Sequence, residues 1–446
     1  MHATCLQLAC CVYRISIYSS NFLVYLDMAS EEQAVTIAAA VLIIVNNDNN
    51  QRKKQKKHSY WINPFLQRRK ETLSIMDEVR LAQSSLFKNF TRMSPSDFEL
   101  LLTLVGPIIC KRNTYFREAI PEATRLAIFL RYAASGDSFA SLMYTFKVST
   151  PSISRIIKDV ALAVVKVLQE YVQLPTSEEK WLEIAQQFQE RWHFPHCLGA
   201  LDGKHVVIQC PPNSGRSYYN YKRTFSIVLF ALVDANYCFR YVNVGRPGRM
   251  SDGGVFLDSS LYTAIRDGVL NLPEQKNLPG TDILLPYVFV ADDAFPLTKY
   301  IQKPYATDLL KGSPKRVFNY RLSLAPRIVE NGFGLLRSVF RVLRTPIELK
   351  TDTIEEVVLA CVCFHNFLRH SRQSRHLYCP PCTLDSDVDG NLVHGKWRKD
   401  IAGNTGITKL AKTGGNATRE AKEIRDGFMK YFMSHEGSVP WQDVYL

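Results

Sequence analysis

Several acidic residues stand where acids are costly. The run Cys197-Leu-Gly-Ala-Leu-Asp-Gly-Lys-His-Val-Val-Ile-Gln209 is rich in Leu, Val and Ile, yet Asp202 interrupts it near the middle. A second apolar run, Pro286-Tyr-Val-Phe-Val-Ala-Asp-Asp-Ala-Phe-Pro-Leu297, carries Asp292 and Asp293. In Pro326-Arg-Ile-Val-Glu-Asn-Gly-Phe-Gly-Leu-Leu-Arg337 the acid among apolar neighbours is Glu330. An uncompensated carboxylate in such surroundings costs several kcal/mol. Lys204 and His205 could compensate Asp202, and so could a divalent cation. Magnesium or manganese takes carboxylate oxygens together with water and phosphate. Two such ions about 4 Å apart activate a water or 3′ hydroxyl and stabilise the leaving oxygen of an in-line displacement. Clustered carboxylates repel one another and raise each other's pKa values, and a metal pair relieves that. The chemistry this set could do is phosphodiester cleavage.

The elements that must position these acids can be read from periodicity. The Asp202 run reads as a strand. Thr224 to Ala235 and Tyr237 to Val244 read as two more, joined at Asp234-Ala-Asn236, so a meander of three antiparallel strands is expected. The glycine-rich basic loop Gly245-Arg-Pro-Gly-Arg-Met-Ser-Asp-Gly-Gly254 leads to a helix expected from about Val255 to Asp267. Residues 268 to 282 read as a loop before the strand that ends at Asp292. The rest, to Arg369, reads as helical and includes Glu330 and the segment Thr353 to Leu368. The order strand, strand, strand, helix, strand, helix predicts a ribonuclease-H-like α/β domain, a mixed sheet flanked by helices, over residues 189–370. Acids on its first strand, a later strand and a helix converge at one end of the sheet.

Residues 59–188 read as all-helical. Within about 122–171, a helix from Glu122 to Ala134 precedes a short one from Asp137, taken as its cap, to Phe146. A turn at Lys147-Val-Ser-Thr150 then opens a long helix reaching about Tyr171. Short helix, tight turn and longer helix are the pattern of a helix-turn-helix. The polar start of the last helix, with Arg155 and Lys158, suits contacts to a DNA backbone. Lys222 and Arg223, in the aromatic and basic run Ser217 to Arg223, and Arg246 and Arg249, in the glycine-rich loop, could guide the same backbone.

Of 446 residues 46% are hydrophobic, 22% charged and 11% aromatic, ordinary for a globular chain, but a net charge of +13 favours a polyanionic partner. Eleven cysteines, mostly inside apolar runs, read as reduced thiols rather than a disulfide framework. Cys379-Pro-Pro-Cys382 has half of a zinc spacing, with no second CxxC, and reads better as a Pro-rich loop. Residues 1–58 form an arm that ends in the basic run Arg52-Lys-Lys-Gln-Lys-Lys57, either a solvated linker or a nuclear-import or nucleic-acid segment. Ala34 to Val45 is too short to span a bilayer, so no membrane is expected, and Met28 is an alternative start to Met1. Residues 371–446 read as a C-terminal extension with a terminal helix.

Six blocks in order carry a resemblance: Gly199-Ala-Leu-Asp-Gly-Lys-His205, Ser217-Tyr-Tyr-Asn-Tyr-Lys222, Gly248-Arg-Met-Ser-Asp-Gly-Gly-Val-Phe256, Ala291-Asp-Asp-Ala-Phe-Pro-Leu297, Arg327-Ile-Val-Glu-Asn-Gly-Phe-Gly334 and Phe364-His-Asn-Phe-Leu368. Together they resemble the PIF/Harbinger transposase family and its domesticated nucleases, from about Arg112 to Leu368. The resemblance implies a DDE nuclease with Asp202, Asp292 and Glu330 as catalytic and metal-binding triad, and two magnesium or manganese ions. It implies a DNA substrate and a Myb-like partner protein; nuclear residence, with the cytoplasm as a second location, is expected from the basic run Arg52 to Lys57 together with a DNA substrate, and either a monomer or an oligomer is compatible with the sequence. Asp252 matches a further family acid and, with the extra Asp293, is a candidate auxiliary group. Arg223 stands where a Gly is common, and Ala291 where Gly is usual. The competing expectation is a DNA-binding, chromatin-associated protein that keeps the fold without cutting. Tight pairing of Asp202 with Lys204 or Arg327 would favour it.

Overall fold

The computed structural model describes residues 64–67, 84–115, 117–306, 312–388, 391–400, 406–409 and 417–442. The chain divides into two units, Met1–Pro64 and Phe65–Leu446, and every described strand belongs to the second. The basic arm, Ala34 to Val45 and Met28 lie outside the described residues.

The second unit opens with helices whose ends are written in the sequence. They are α1 (Ser84–Thr91), α2 (Pro95–Ile109), α3 (Glu122–Ser135), α4 (Phe139–Phe146), α5 (Thr150–Leu168) and α6 (Glu178–Trp192). Ser94 caps α2 by accepting from the Asp97 backbone N–H at 3.2 Å, and Pro95 takes the first-turn place where its missing N–H costs nothing. α3 stops at Gly136, whose φ of +71° few other residues adopt cheaply. The cap of α4 is Ser138 rather than Asp137, because its hydroxyl reaches the Ser141 N–H. α5 ends at Leu168, and Gln169–Tyr171 continue it as one 3-10 turn. Ile153, Ile156, Ile157, Val160 and Val164 recur at helical spacing along α5 and are buried.

The expected meander is present. Strands β1 (Cys197–Val207), β2 (Ser226–Val233) and β3 (Phe239–Pro247) are antiparallel neighbours, with Asp202 opposite Ala231. β4 (Val288–Ala291) lies parallel to β1 on its other side, and β5 (Ile301–Gln302) lies parallel to β4. The sheet order is therefore β3-β2-β1-β4-β5, with β6 (Ile407–Lys409) pairing antiparallel to the end of β1. A sheet so placed is covered on both faces, which explains why β1 and β2 are buried at every position rather than alternately.

The single helix expected from Val255 to Asp267 is two, α7 (Asp252–Leu257) and α8 (Ser260–Arg266). Ser259 breaks it: its hydroxyl accepts from the Tyr262 N–H at 3.2 Å and starts a new helix. The loop after them carries one short antiparallel rung, Lys276–Asn277 against Leu284–Leu285. α9 (Pro314–Val339) and α10 (Thr351–His370) follow, the latter lying against α5 and β3. The short helix α11 (Trp397–Asp400) packs on α9, and α12 (Arg419–Phe432) is the terminal helix. Trp397 comes so close that a Cβ on Gly334 would lie 2.4 Å from its ring. Among the described residues no helix is long and apolar enough to cross a membrane.

Candidate active site

Strand register brings two of the acids together. Leu201 of β1 stands opposite Ala291 of β4 in a parallel pair, so Asp202 and Asp292 are the next residues along neighbouring chains. Neighbouring strands run about 4.8 Å apart. Asp202 is buried, and its Oδ1 accepts from the Gly203 N–H at 2.7 Å. Its Oδ2 is held by the Lys204 ammonium. Asp292 caps the turn after β4 through the Ala294 N–H at 3.0 Å. Burial, then the nearby Asp202, pushes the Asp292 carboxyl up. Asp293 is exposed, and its backbone carbonyl accepts from Lys303 at 3.2 Å.

A third acid enters from the side. Asp252 is the first residue of α7, whose cap is Ser251. It is 2% exposed and its Oδ1 has no hydrogen-bond partner. Burial, then the charges of Asp202 and Asp292, pushes this carboxyl up to about 9, with Lys204 opposing. Phe256 of α7 packs against Phe230 of β2 and Phe295, both at 6.1 Å between ring centres, and these contacts fix α7 to the sheet.

Glu330 sits on α9, which lies over the same region: Phe333, one turn further on, is 5.7 Å from the Lys204 ammonium. Glu330 lies 3.7 Å from Arg398, whose stronger partner is the buried Asp385. Arg327 goes to Asp387 at 3.1 Å and leaves Asp202 to Lys204. Among the described residues no group of three or more His, Cys, Asp or Glu is gathered tightly enough to hold a metal ion, the Cys379–Cys382 loop included.

Three of the sequence blocks meet at one residue, Ser226. Its hydroxyl lies 3.0 Å from His205 Nδ1 and accepts from Asn220 Nδ2 at 2.9 Å. Its carbonyl accepts from the Gly248 N–H at 2.9 Å, so close that a Cβ at Gly248 would strike the Ser226 hydroxyl at 2.1 Å. Asn220 Oδ1 in turn accepts from the N–H groups of Lys222 and Thr224 and folds the Tyr-Asn-Tyr-Lys block into a turn. Burial and Lys222 lower His205 to about 4, so the ring is neutral. Nothing in the sequence singled out Ser226; only the three blocks around it did.

The basic residues are spread over the surface. Arg155 and Lys158 are exposed on the first turns of α5. Lys222 and Arg223 are exposed in the Asn220 turn, where Arg223 takes a φ of +63° that favours the usual Gly. Arg246 is engaged with Asp258 at 2.9 Å, and Arg249 is exposed.

Comparison with known proteins bears on the same segment. Residues 201–366, which hold all five of these acids, match the DDE superfamily endonuclease model. Protein ALP1-like of Arabidopsis thaliana is 24% identical over 292 residues, which cover 63% of this chain and 70% of that one. The Xenopus laevis protein named "Putative nuclease HARBI1" is 25% identical over 280 residues, 61% of this chain and 75% of that one. No solved structure matches.

Proposed function

The chain belongs to the Harbinger-type DDE superfamily endonucleases, and from that premise we propose that it is a metal-dependent nuclease acting on DNA. The observation that carries this reading is the meeting of Asp202, Asp292 and Asp252 around one lysine. Three carboxyls share a single ammonium in a buried place, so Asp252 and Asp292 hold their protons more tightly than usual, and a divalent cation would displace those protons and take up the charge. The residues fit such an ion in kind: all donors are carboxylate oxygens, as magnesium and manganese require, and the Asp252 Oδ1 is without a partner.

Asp202, Asp292 and Glu330 would hold the ions, with Asp252 as auxiliary, and the metal would supply activation of the attacking oxygen and charge neutralisation at the leaving one. The chain's own residues do the rest. Lys204 holds Asp202 in place and, were a cation to take that carboxylate, would be free to meet a phosphate oxygen. Arg249, Lys222 and Arg223 draw in the DNA backbone, and Arg155 and Lys158 extend that path onto the helical region. Asp293, exposed, stands outside the ligand set.

A second reading is favoured by one observation. The Asp202–Lys204 pair compensates the acid without any metal, as a DNA-binding protein that no longer cuts would also have it. Incubation of the full chain with supercoiled plasmid and hairpin DNA separates the two. Cutting with magnesium or manganese, absent in chelator, supports the nuclease; DNA binding without cutting in either metal supports the silent protein.

Nuclear residence rests on Arg52 to Lys57, and a reporter carrying residues 46–70 should enter nuclei. A diffuse reporter would assign import elsewhere. A Myb-like partner rests on the family resemblance alone, and its absence on co-purification from nuclear extract would remove it; sedimentation of the pure chain tests an oligomer, which a monomer would remove.

A further inference from the structure

A second charged group lies away from the acids, where the helical region meets the end of α9. Five arginines gather there from four elements: Arg92 after α1, Arg131 on α3, Arg337 on α9, and Arg341 and Arg344 in the 3-10 turn Arg341–Arg344 that follows it. The elements are in direct contact. The Arg131 guanidinium stands 5.3 Å over the ring of Phe90, two residues before Arg92. A Cβ on Gly136, at the end of α3, would lie 3.3 Å from the Arg341 carbonyl. Arg344 donates to the carbonyls of Arg337 at 3.1 Å and Ser338 at 2.6 Å, which locks the turn onto α9.

Like charges this close repel. Burial lowers Arg92 to about 10, with Arg341, Arg131 and Arg344 adding to it, and burial lowers Arg337 to about 10, with Arg344 adding. Acids offset only part of this: Asp137 pairs with Arg131 at 3.4 Å, and Asp400 faces Arg344. The decisive observation is at Arg337, the most buried member, which is linked to the others through Arg344. Arg337 is 6% exposed, and its Nε and Nη2 are buried without hydrogen-bond partners; Arg92 Nε is likewise unpartnered. Guanidinium N–H groups kept from both water and acceptors lack the bonds a bound anion would give them. Arg337 is buried, Arg92, Arg131 and Arg344 are half-buried, and Arg341 is exposed, so the group reaches from the interior to the surface.

We propose that these arginines form a phosphate-binding site that grips the backbone of bound DNA, away from the bond that is cut. The proposal rests on DNA being the substrate. Position supports it: Arg337 is seven residues after Glu330 on one helix, which puts it on nearly the same face about 10 Å along the axis. A backbone held at Arg337 is thereby tied to the helix that carries the glutamate. The site also joins α1 and α3 to α9, so a phosphate there would brace the helical region on the catalytic domain.

The test is fluorescence anisotropy of a labelled duplex on the full chain, as wild type, as Arg92→Gln with Arg341→Gln, and as Arg337→Met. The double variant changes accessible arginines and keeps the fold if Arg337→Met does not. Binding should weaken about tenfold or more, and the slope of log affinity against log salt should fall by about one for each phosphate no longer neutralised. The exposed Arg266→Gln, paired with Asp267 elsewhere, should leave both unchanged. A folded double variant with wild-type affinity and slope overturns the proposal. So does one that binds DNA normally but no longer gains thermal stability from pyrophosphate, which would assign the site to a small free polyphosphate. Plasmid cutting separates the two claims: normal cutting with unchanged affinity sinks this site alone. Binding through the arginines without cutting in any metal sinks the nuclease reading alone.

Discussion

Lys204→Met tests the view that lysine and metal compete for one carboxylate. The substitution keeps the length of the stem and removes the ammonium bonded to Asp202, both residues being 7% exposed. Breaking a buried pair from one side costs about 3–5 kcal/mol. The low end applies, because Asp202 keeps the Gly203 N–H. For a folded unit of roughly 350 residues the unfolding entropy makes 1 kcal/mol worth about 1.3 °C, so the melting temperature should fall by about 4 °C in chelator. Magnesium should then restore more to the variant than it adds to wild type, since no lysine need be displaced. A cation at a hundred times its Kd contributes about 2.7 kcal/mol, or about 3–4 °C. Scanning calorimetry with and without magnesium reads both shifts. A variant as stable as wild type in chelator would show that the pair holds nothing, and equal magnesium shifts in the two proteins would refute the competition.

Asn331→Leu should destabilise the chain by about 3–4 kcal/mol in chemical unfolding. It breaks bonds to both backbone groups of Asp385 and to the Trp397 indole, and a loss under 1 kcal/mol would contradict the account. Burial lowers His365 to about 3 from an unfolded value near 6.5, so its neutral ring supports the fold above pH 6.5 and that support is lost as pH falls towards 3. Relative to His365→Gln, wild type should therefore lose about 1.4 kcal/mol per pH unit below 6.5, and parallel profiles would exclude a neutral buried ring. Arg155→Ala with Lys158→Ala should weaken DNA binding and flatten its salt dependence, and an unchanged slope would remove α5 from the interface.

The acids were legible because each broke an apolar pattern, and the strands because β-branched runs bounded by turn residues leave few alternatives. Register did the rest: once β4 is parallel to β1, Asp202 and Asp292 must be neighbours. Asp252 was harder to weigh, because a polar, glycine-rich segment gives no sign that its carboxylate is buried. The partner of Glu330 was out of reach, since Arg398 lies in a part of the chain without periodicity. The division of α7 from α8 hung on one serine cap. The arginine group escaped altogether, because its members are spread from residue 92 to 344 and each alone reads as the polar face of a helix. Arg223 is the reverse case: its unusual place in the Tyr-Asn-Tyr-Lys block was visible, and the positive φ gives the physical reason.

The central claim is that Asp202 and Asp292 hold the cutting metal and that Asp293 does not. Single-turnover cutting of plasmid DNA in magnesium, with protein in excess and folding checked by circular dichroism, tests it on Asp202→Asn, Asp292→Asn and Asp293→Asn. The account predicts a loss of about a hundredfold or more for the first two, within the several kcal/mol a metal supplies, and a change under about threefold for the third. Wild-type cutting by Asp202→Asn, or an essential Asp293 beside a dispensable Asp292, would contradict it.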